Sequence, residues 1–156
     1  MTDLPIRRFA SEAAIASVGE RLLDCTLPRA EWTHEAHLAA TAWLVARRPD
    51  IDLDRELPAI IRRYNASVGG VNDDRQGYHD TLTRAYLHGI RWFVAQVEPG
   101  PLDRVVDQLL GSDVGRRDWP LRFWSKARLF SVEARRGWVA PDLAPLPRVA
   151  SSGHPC

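Results

Sequence analysis

Apolar residues recur at intervals of three and four along most of the chain, the spacing of helices with one buried face. The longest such run covers residues 76–97, and a second run covers residues 34–48 directly after Thr33, a residue type that caps helices. No segment alternates apolar and polar residues over the length of a strand. The pattern predicts an all-α fold.

The same spacing predicts five main helices and an irregular C-terminal part. The predicted helices span residues 11–24, 34–48, 54–65, 76–97 and 101–110. One further turn is predicted at 132–136, capped by Ser131 and stopped by Gly137. Because 156 residues suffice for one core, we predict a single-domain helical bundle of four to five main helices with an irregular C-terminal wrap. Residues 1–146 form this domain, and residues 147–156 are predicted to be a disordered tail.

The charge balance changes this picture little. With 21 basic and 20 acidic residues the net charge is +1, which gives no electrostatic reason to expect nucleic acid or a membrane surface as partner. The two cysteines, Cys25 and Cys156, form no CxxC pair, and no signal peptide or stretch of ~20 apolar residues is visible. These features predict a cytoplasmic protein.

Three histidines are the strongest candidates for chemistry. His34 and His37 lie three residues apart at the start of the second predicted helix, so their rings are neighbours on one face. His79 is predicted in the first turn of the fourth helix, at the head of its apolar stripe. His88 follows nine residues later and faces the opposite side, which excludes it as a partner of His79 on that face.

We expect the three imidazoles to bind one transition-metal ion. Three nitrogen ligands from two helices would leave coordination positions open for water or substrate. All-nitrogen ligation suits Zn, Fe, Mn, Ni or Cu without choosing between them. Two alternatives stay open at this point: a metal-free cluster that acts as acid, base or hydrogen-bond donor, and purely structural histidines.

Other polar residues near the histidines are second-tier candidates. Glu35, Tyr78 and Asp80 are the candidate catalytic groups, and the two carboxylates project about 100° from their neighbouring histidines. The candidates for substrate contact or for orienting a ligand are Asn65, Asn72, Thr83 and Arg128. Residues 67–74, with the paired glycines Gly69 and Gly70, are predicted to form a loop at the lip of the site.

The motifs that contain these residues also resemble those of known groups of helical proteins. Residues 32–38 (WTHEAHL), 77–83 (GYHDTLT) and 129–135 (LFSVEAR) resemble the blocks of an uncharacterised bacterial family of small all-helical proteins. That resemblance implies no activity. The chain is also loosely similar to DinB-like bundles, which hold a metal with three histidines, and this implies a metal site. DinB-like bundles take a His-x-x-x-His pair from the later helix, whereas here the pair comes first and is His-x-x-His.

Two function hypotheses follow. The first is a metal-dependent enzyme, a hydrolase, lyase or oxygenase, that acts on a small molecule through His34, His37 and His79. The second is a non-enzymatic helical bundle that binds or senses a small ligand in a histidine-lined pocket. A partner-binding or homodimeric domain, which would use the tryptophan-rich segment after Asp118, is a third alternative.

Overall fold

The computed structural model describes residues 8–148 and confirms the all-α fold. The helices of this range, with no strand among them, are α1 (Glu12–Leu23), α2 (His34–Arg47), α3 (Leu53–Ser67), α4 (Asp80–Gln96), α5 (Leu102–Gly111), α6 (Lys126–Leu129) and α7 (Val132–Arg136). Two 3₁₀ turns, Arg29–Glu31 and Trp119–Arg122, precede α2 and α6. The first five helices are the main helices of the predicted bundle.

Three helices begin directly after the residues that were predicted to cap them. Ser11, Thr33 and Ser131 each have extended backbone, and each hydroxyl accepts a hydrogen bond from the backbone N–H three residues later. This bond satisfies one of the amide groups that the first helical turn leaves without a partner. The predicted starts of α1, α2 and α7 are confirmed.

The predicted start of α4 is wrong. The helix begins at Asp80 rather than near Gln76, so His79 precedes the first turn as the N-cap residue. His79 has extended backbone, and its Nδ1 accepts a hydrogen bond from the Leu82 N–H at 3.1 Å. The preceding chain is held away from helical geometry because the Asn72 side chain accepts the Tyr78 N–H. An imidazole therefore takes the place of the usual Ser or Asp cap.

Helix α3 tolerates a proline inside it. It begins at Leu53, and Pro58 lies beyond its first turn, where a proline removes one helical hydrogen bond. The carbonyl that loses this bond is that of Asp54, four residues earlier, and Arg84 of α4 donates to it instead at 3.0 Å. A side chain of the neighbouring helix thus replaces the missing backbone donor.

Helix α2 is the centre of the bundle, in contact with α1, α4 and α5. It approaches α1 closely because Gly19 leaves room for the Trp43 ring, which a Cβ at Gly19 would overlap. Trp119 and Trp124 are also buried, at 3% and 0% exposure. The tryptophan-rich segment that the partner-binding hypothesis used is therefore part of the core through these two residues.

The C-terminal segment wraps across α4 as predicted. The Thr81 hydroxyl donates to the Gly137 carbonyl, and the Trp124 indole donates to Val139. Pro147, which the prediction assigned to the tail, is held by a hydrogen bond from His88, and the tail residues 149–156 lie outside the described range. No helix within residues 8–148 has the length and apolarity needed to cross a membrane.

Candidate functional site

A cavity of about 760 Å³ opens between α2, α3, the start of α4 and the loop after α3. Its walls are formed by Arg29, Trp32, His34, His37, Leu38, Thr41, Ile61, Asn65, Val68, Gly69, Gly70, Val71, Gln76, Gly77, Tyr78, His79, Leu82, Thr83 and Tyr86. All three candidate histidines line this one cavity. The glycine loop forms part of its rim, the position predicted for the lip of the site.

His79 uses both of its ring nitrogens to hold the protein together. Its Nε2 donates to the Leu129 carbonyl at 2.8 Å, and its Nδ1 accepts the Leu82 N–H. Since a carbonyl only accepts and an amide N–H only donates, this pair of bonds fixes the neutral ring with the proton on Nε2. Burial lowers the pKa of His79, and the bond to Leu129 partly offsets this.

His34 is the first residue of α2, and one of its ring nitrogens is engaged. Its Nε2 donates to the Gly115 carbonyl at 2.8 Å. In the neutral ring the other nitrogen, Nδ1, then keeps a lone pair that this bond does not use. The Tyr86 ring lies edge-on against the imidazole, with centroids 5.7 Å apart. Burial lowers the pKa of His34 more than the Gly115 carbonyl raises it.

His37 differs from the other two histidines because no described residue hydrogen-bonds its ring. It stacks on Trp32, with ring centroids 3.7 Å apart, and it is half-buried at the cavity wall. No buried side-chain nitrogen or oxygen in residues 8–148 lacks a partner, so the unpartnered ring nitrogens of His37 keep some exposure to solvent, and the residue lines the cavity. The surrounding protein desolvates the imidazole and lowers its pKa to about 3.

The ring nitrogens that remain available on the three histidines do not form the expected metal centre as they stand. Within residues 8–148, no group of three or more His, Cys, Asp or Glu side chains is arranged to hold a metal ion. His79 has no lone pair left, because Leu82 occupies Nδ1 and the Leu129 carbonyl fixes the proton on Nε2. A three-histidine centre would require this ring to give up at least one of these bonds and to rotate.

The candidate acid Asp80 lies behind the cavity wall rather than in it. Its carboxylate accepts the Tyr78 hydroxyl at 2.7 Å and pairs with Arg84 at 2.8 Å, so both oxygens are engaged. Tyr78 itself is one of the lining residues, and burial together with the Asp80 carboxylate raises its pKa. These bonds fix the residues before α4 to its first turns, and Arg84 also connects α4 to α3 through the Asp54 carbonyl.

Glu35 and Arg128 also lie away from the cavity lining. Glu35 is only 6% exposed, and its carboxylate is 3.6 Å from the Arg117 guanidinium on the far side of α2. Arg128 donates to the Ala140 carbonyl at 2.6 Å and so fastens the C-terminal wrap. Neither side chain is in position to meet a ligand in the cavity.

The three amide and hydroxyl residues predicted to contact a substrate or orient a ligand divide into two groups. Asn65 and Thr83 line the cavity, whereas Asn72 organises the loop behind it. The Asn72 carbonyl oxygen accepts from Asn65 and from the Tyr78 N–H, and its amide donates to the Arg62 carbonyl. Asn72 therefore sets the shape of the rim without facing a ligand.

Two cavity residues, Arg29 and Tyr86, were missed as functional candidates. Tyr86 lies seven residues after His79, which is two helical turns along the same face, so the helical spacing could have predicted that both residues line one cavity. Its hydroxyl donates to the Arg116 carbonyl at 2.7 Å, and burial raises its pKa. Arg29 lies in a short 3₁₀ turn, and no sequence period marks such a position.

Comparisons with known proteins add no assignment. No family model matches this chain, and neither a curated protein nor a solved structure gives a match to it. The resemblances to the uncharacterised helical family and to DinB-like bundles therefore stay predictions from the motifs. The case for a function depends on the cavity itself.

Proposed function

We propose that this protein is a helical domain that binds a small molecule in the cavity between α2, α3 and α4. The observation that carries this proposal is His37, which lines the cavity and whose ring nitrogens have no hydrogen-bond partner among the described residues. A volume of about 760 Å³ lies within the ~300–1,000 Å³ range of small-ligand sites. Apolar walls with a few polar groups are also typical of such sites.

The ionisable groups of the lining favour binding over acid–base catalysis. A general acid or base works best when its pKa lies near the working pH. Here the pKa of His37 is lowered to about 3, those of His34 and His79 are also lowered, and those of both cavity tyrosines are raised. All three imidazoles are therefore neutral near pH 7, and those of His34 and His37 keep ring nitrogens that can hydrogen-bond a polar ligand.

A fragment screen by amide NMR tests the proposal. The full chain is titrated with small uncharged aromatic and aliphatic amides and alcohols, and we expect chemical-shift changes at Asn65, Thr83 and the backbone of the glycine loop. His37→Phe keeps a ring against Trp32 but removes the hydrogen-bonding nitrogens, so it should weaken these fragments roughly five- to tenfold.

His88→Phe is the matched control for this variant. His88 is a half-buried histidine of α4 that lines a separate, smaller pocket of about 310 Å³. This substitution should leave binding in the main cavity unchanged. If no fragment shifts the cavity residues, or if both variants weaken binding equally, the proposal is wrong.

A metal-dependent enzyme is the second candidate, favoured by one observation: His34, His37 and His79 line the same cavity. In this alternative His37 and the Nδ1 of His34 supply two nitrogens, and His79 must release Leu82 or Leu129 to supply the third. Elemental analysis and zinc titration of untagged protein separate the two candidates. Less than roughly a tenth of an equivalent of bound metal, with fragment binding that persists after chelation, would count against the enzyme.

The remaining predictions concern partners and compartment. The balanced charge of the chain continues to argue against nucleic acid or a membrane surface as the partner. A homodimer is tested by sedimentation at two concentrations, and a cytoplasmic location stays a prediction from the cysteine pattern.

A further inference from the structure

The described lining of the cavity carries one positive charge and no carboxylate. Among residues 8–148, no Asp or Glu side chain lines the cavity, and Arg29 is the one lining residue with a permanent charge. Three carboxylates adjoin lining residues in sequence, and each has a partner. Tyr78 and Arg84 engage Asp80, Arg117 pairs with Glu35, and Arg21 pairs with Glu31. A cationic ligand would therefore find no carboxylate among these walls.

Arg29 is also one of three arginines near the cavity that pair with no described carboxylate. Glu31, in the same 3₁₀ turn as Arg29, is taken by Arg21 at 3.2 Å. The Arg62 guanidinium lies 4.6 Å above the Tyr78 ring, and Arg135 donates to the Gly77 carbonyl at 3.1 Å. Positive charges that the fold does not neutralise create a potential that attracts anions into the cleft.

Apolar side chains make up part of the lining, beside the polar ones. They are Trp32, Leu38, Ile61, Val68, Val71 and Leu82. This surface suits the body of a ligand rather than its charge, because burying a charged group without a partner is costly. The charged end of an anionic ligand would stay beside Arg29, which is an exposed residue of the lining.

From this arrangement, and resting on the proposed function, we infer that the cavity binds a small organic anion with an apolar body. The anionic group pairs with Arg29, and the body lies against Trp32 and the apolar wall, within reach of the His37 ring. A guanidinium offers a carboxylate two parallel hydrogen bonds, which also fixes its orientation.

Matched probes that differ only in the head group test this inference. Phenylacetate, indole-3-acetate and hexanoate are compared with their primary amides and with the corresponding amines, by NMR titration of the full chain. We expect each carboxylate to bind roughly three- to tenfold more tightly than its amide, and each amine to bind most weakly. Arg29→Gln should bring carboxylate and amide within about twofold of each other.

Arg63→Gln is the control, because Arg63 is an exposed arginine of α3 that does not line the cavity. It should keep the carboxylate preference. Equal binding of the three head groups, tighter binding of the amines, or a preference that survives in Arg29→Gln would each overturn the inference while the proposed function stands. If no probe, charged or neutral, shifts the cavity residues, the proposed function fails and the inference fails with it.

Discussion

The N-termini of α2 and α4 use the same interactions but distribute them differently. At α2, Thr33 caps the helix and His34 reaches across to the Gly115 carbonyl. At α4, His79 alone does both, since Nδ1 caps the helix and Nε2 reaches the Leu129 carbonyl. Both histidines thereby connect a helix start to the part of the chain that follows α5.

This difference determines which histidine ring nitrogens remain available to bind a ligand. His79 has none, because the fold uses its whole ring. At α2 the cap is a hydroxyl, so the Nδ1 of His34 is spared and His37, one turn later, stays outside the network altogether. We therefore propose that the group that hydrogen-bonds a ligand lies on α2, whereas the histidine at α4 is structural, and the predictions below test that division.

Acid should give the largest effect, through His37. The pKa of this ring is about 3 in the folded protein, against about 6.5 for an unfolded histidine. Below pH 6.5 the unfolded chain takes up a proton that folded His37 does not accept, so the free energy of unfolding falls between about pH 6.5 and pH 3. His37 alone should account for a loss of about 3 kcal/mol between pH 7 and pH 4.

Urea denaturation at pH 7 and pH 4 measures this loss, with His37→Phe as the comparison. His34 and His79 titrate in both proteins, so the difference between the two pH responses isolates His37. We expect the variant to lose about 3 kcal/mol less than the wild type on acidification. A pH response that is the same in both proteins would contradict the burial of a neutral His37.

The next effect should come from His79, where one ring carries two bonds. His79→Phe removes the cap of α4 and leaves the Leu129 carbonyl without its donor, which should cost about 2–3 kcal/mol in the free energy of unfolding. His79→Asn restores a good capping residue but does not reach Leu129, so it should recover about 1 kcal/mol. If Asn and Phe destabilise equally, the capping bond contributes nothing.

Whether a feature could be predicted from the sequence depends on how far apart in the chain its interacting residues lie. Helical periodicity and Ser or Thr caps act over a few residues, so the main helices and the starts at Ser11 and Thr33 were predictable. The same phase argument drew attention to the three histidines that line one cavity. It also separated His88, which faces the C-terminal wrap.

The state of each ring could not be predicted, because it depends on partners far away in the chain. The bond of His34 spans 81 residues and that of His79 spans 50, and both end on carbonyls of a segment with no period. The start of α4 was misplaced for a related reason. Histidine is not a usual capping residue, and the Asn72 bond that keeps Tyr78 extended is invisible in a helical pattern.

The chain that leads into α4 offers a third test, because it is a glycine loop where α2 has a rigid 3₁₀ turn. Gly69 and Gly77 both have positive φ, at 85° and 80°. A Cβ at Gly69 meets nothing, whereas a Cβ at Gly77 would lie 2.3 Å from the Val71 carbonyl oxygen. Gly69→Ala should cost about 1 kcal/mol from backbone strain, and Gly77→Ala roughly 2 kcal/mol by adding this overlap.

Thermal unfolding of the two variants measures that difference, and fragment binding gives a second readout. Gly69, Val71 and Gly77 all line the cavity, but only a Cβ at Gly77 would displace Val71, so Gly77→Ala should also weaken fragment binding while Gly69→Ala should affect stability more than binding. Equal destabilisation by both substitutions would mean that the loop adjusts freely and does not define the rim.

The smallest single effect is expected at His34, and it completes the comparison between the two helix starts. His34→Phe keeps a ring against Tyr86 and loses one hydrogen bond, to Gly115, so it should cost about 1 kcal/mol in urea denaturation. Thr33→Ala should cost about 1 kcal/mol by removing the cap of α2. If Thr33 and His34 together perform what His79 performs alone, the double variant should be destabilised about as much as His79→Phe. A His34→Phe variant that is by itself as unstable as His79→Phe would show that the two helix starts do not divide their interactions in this way.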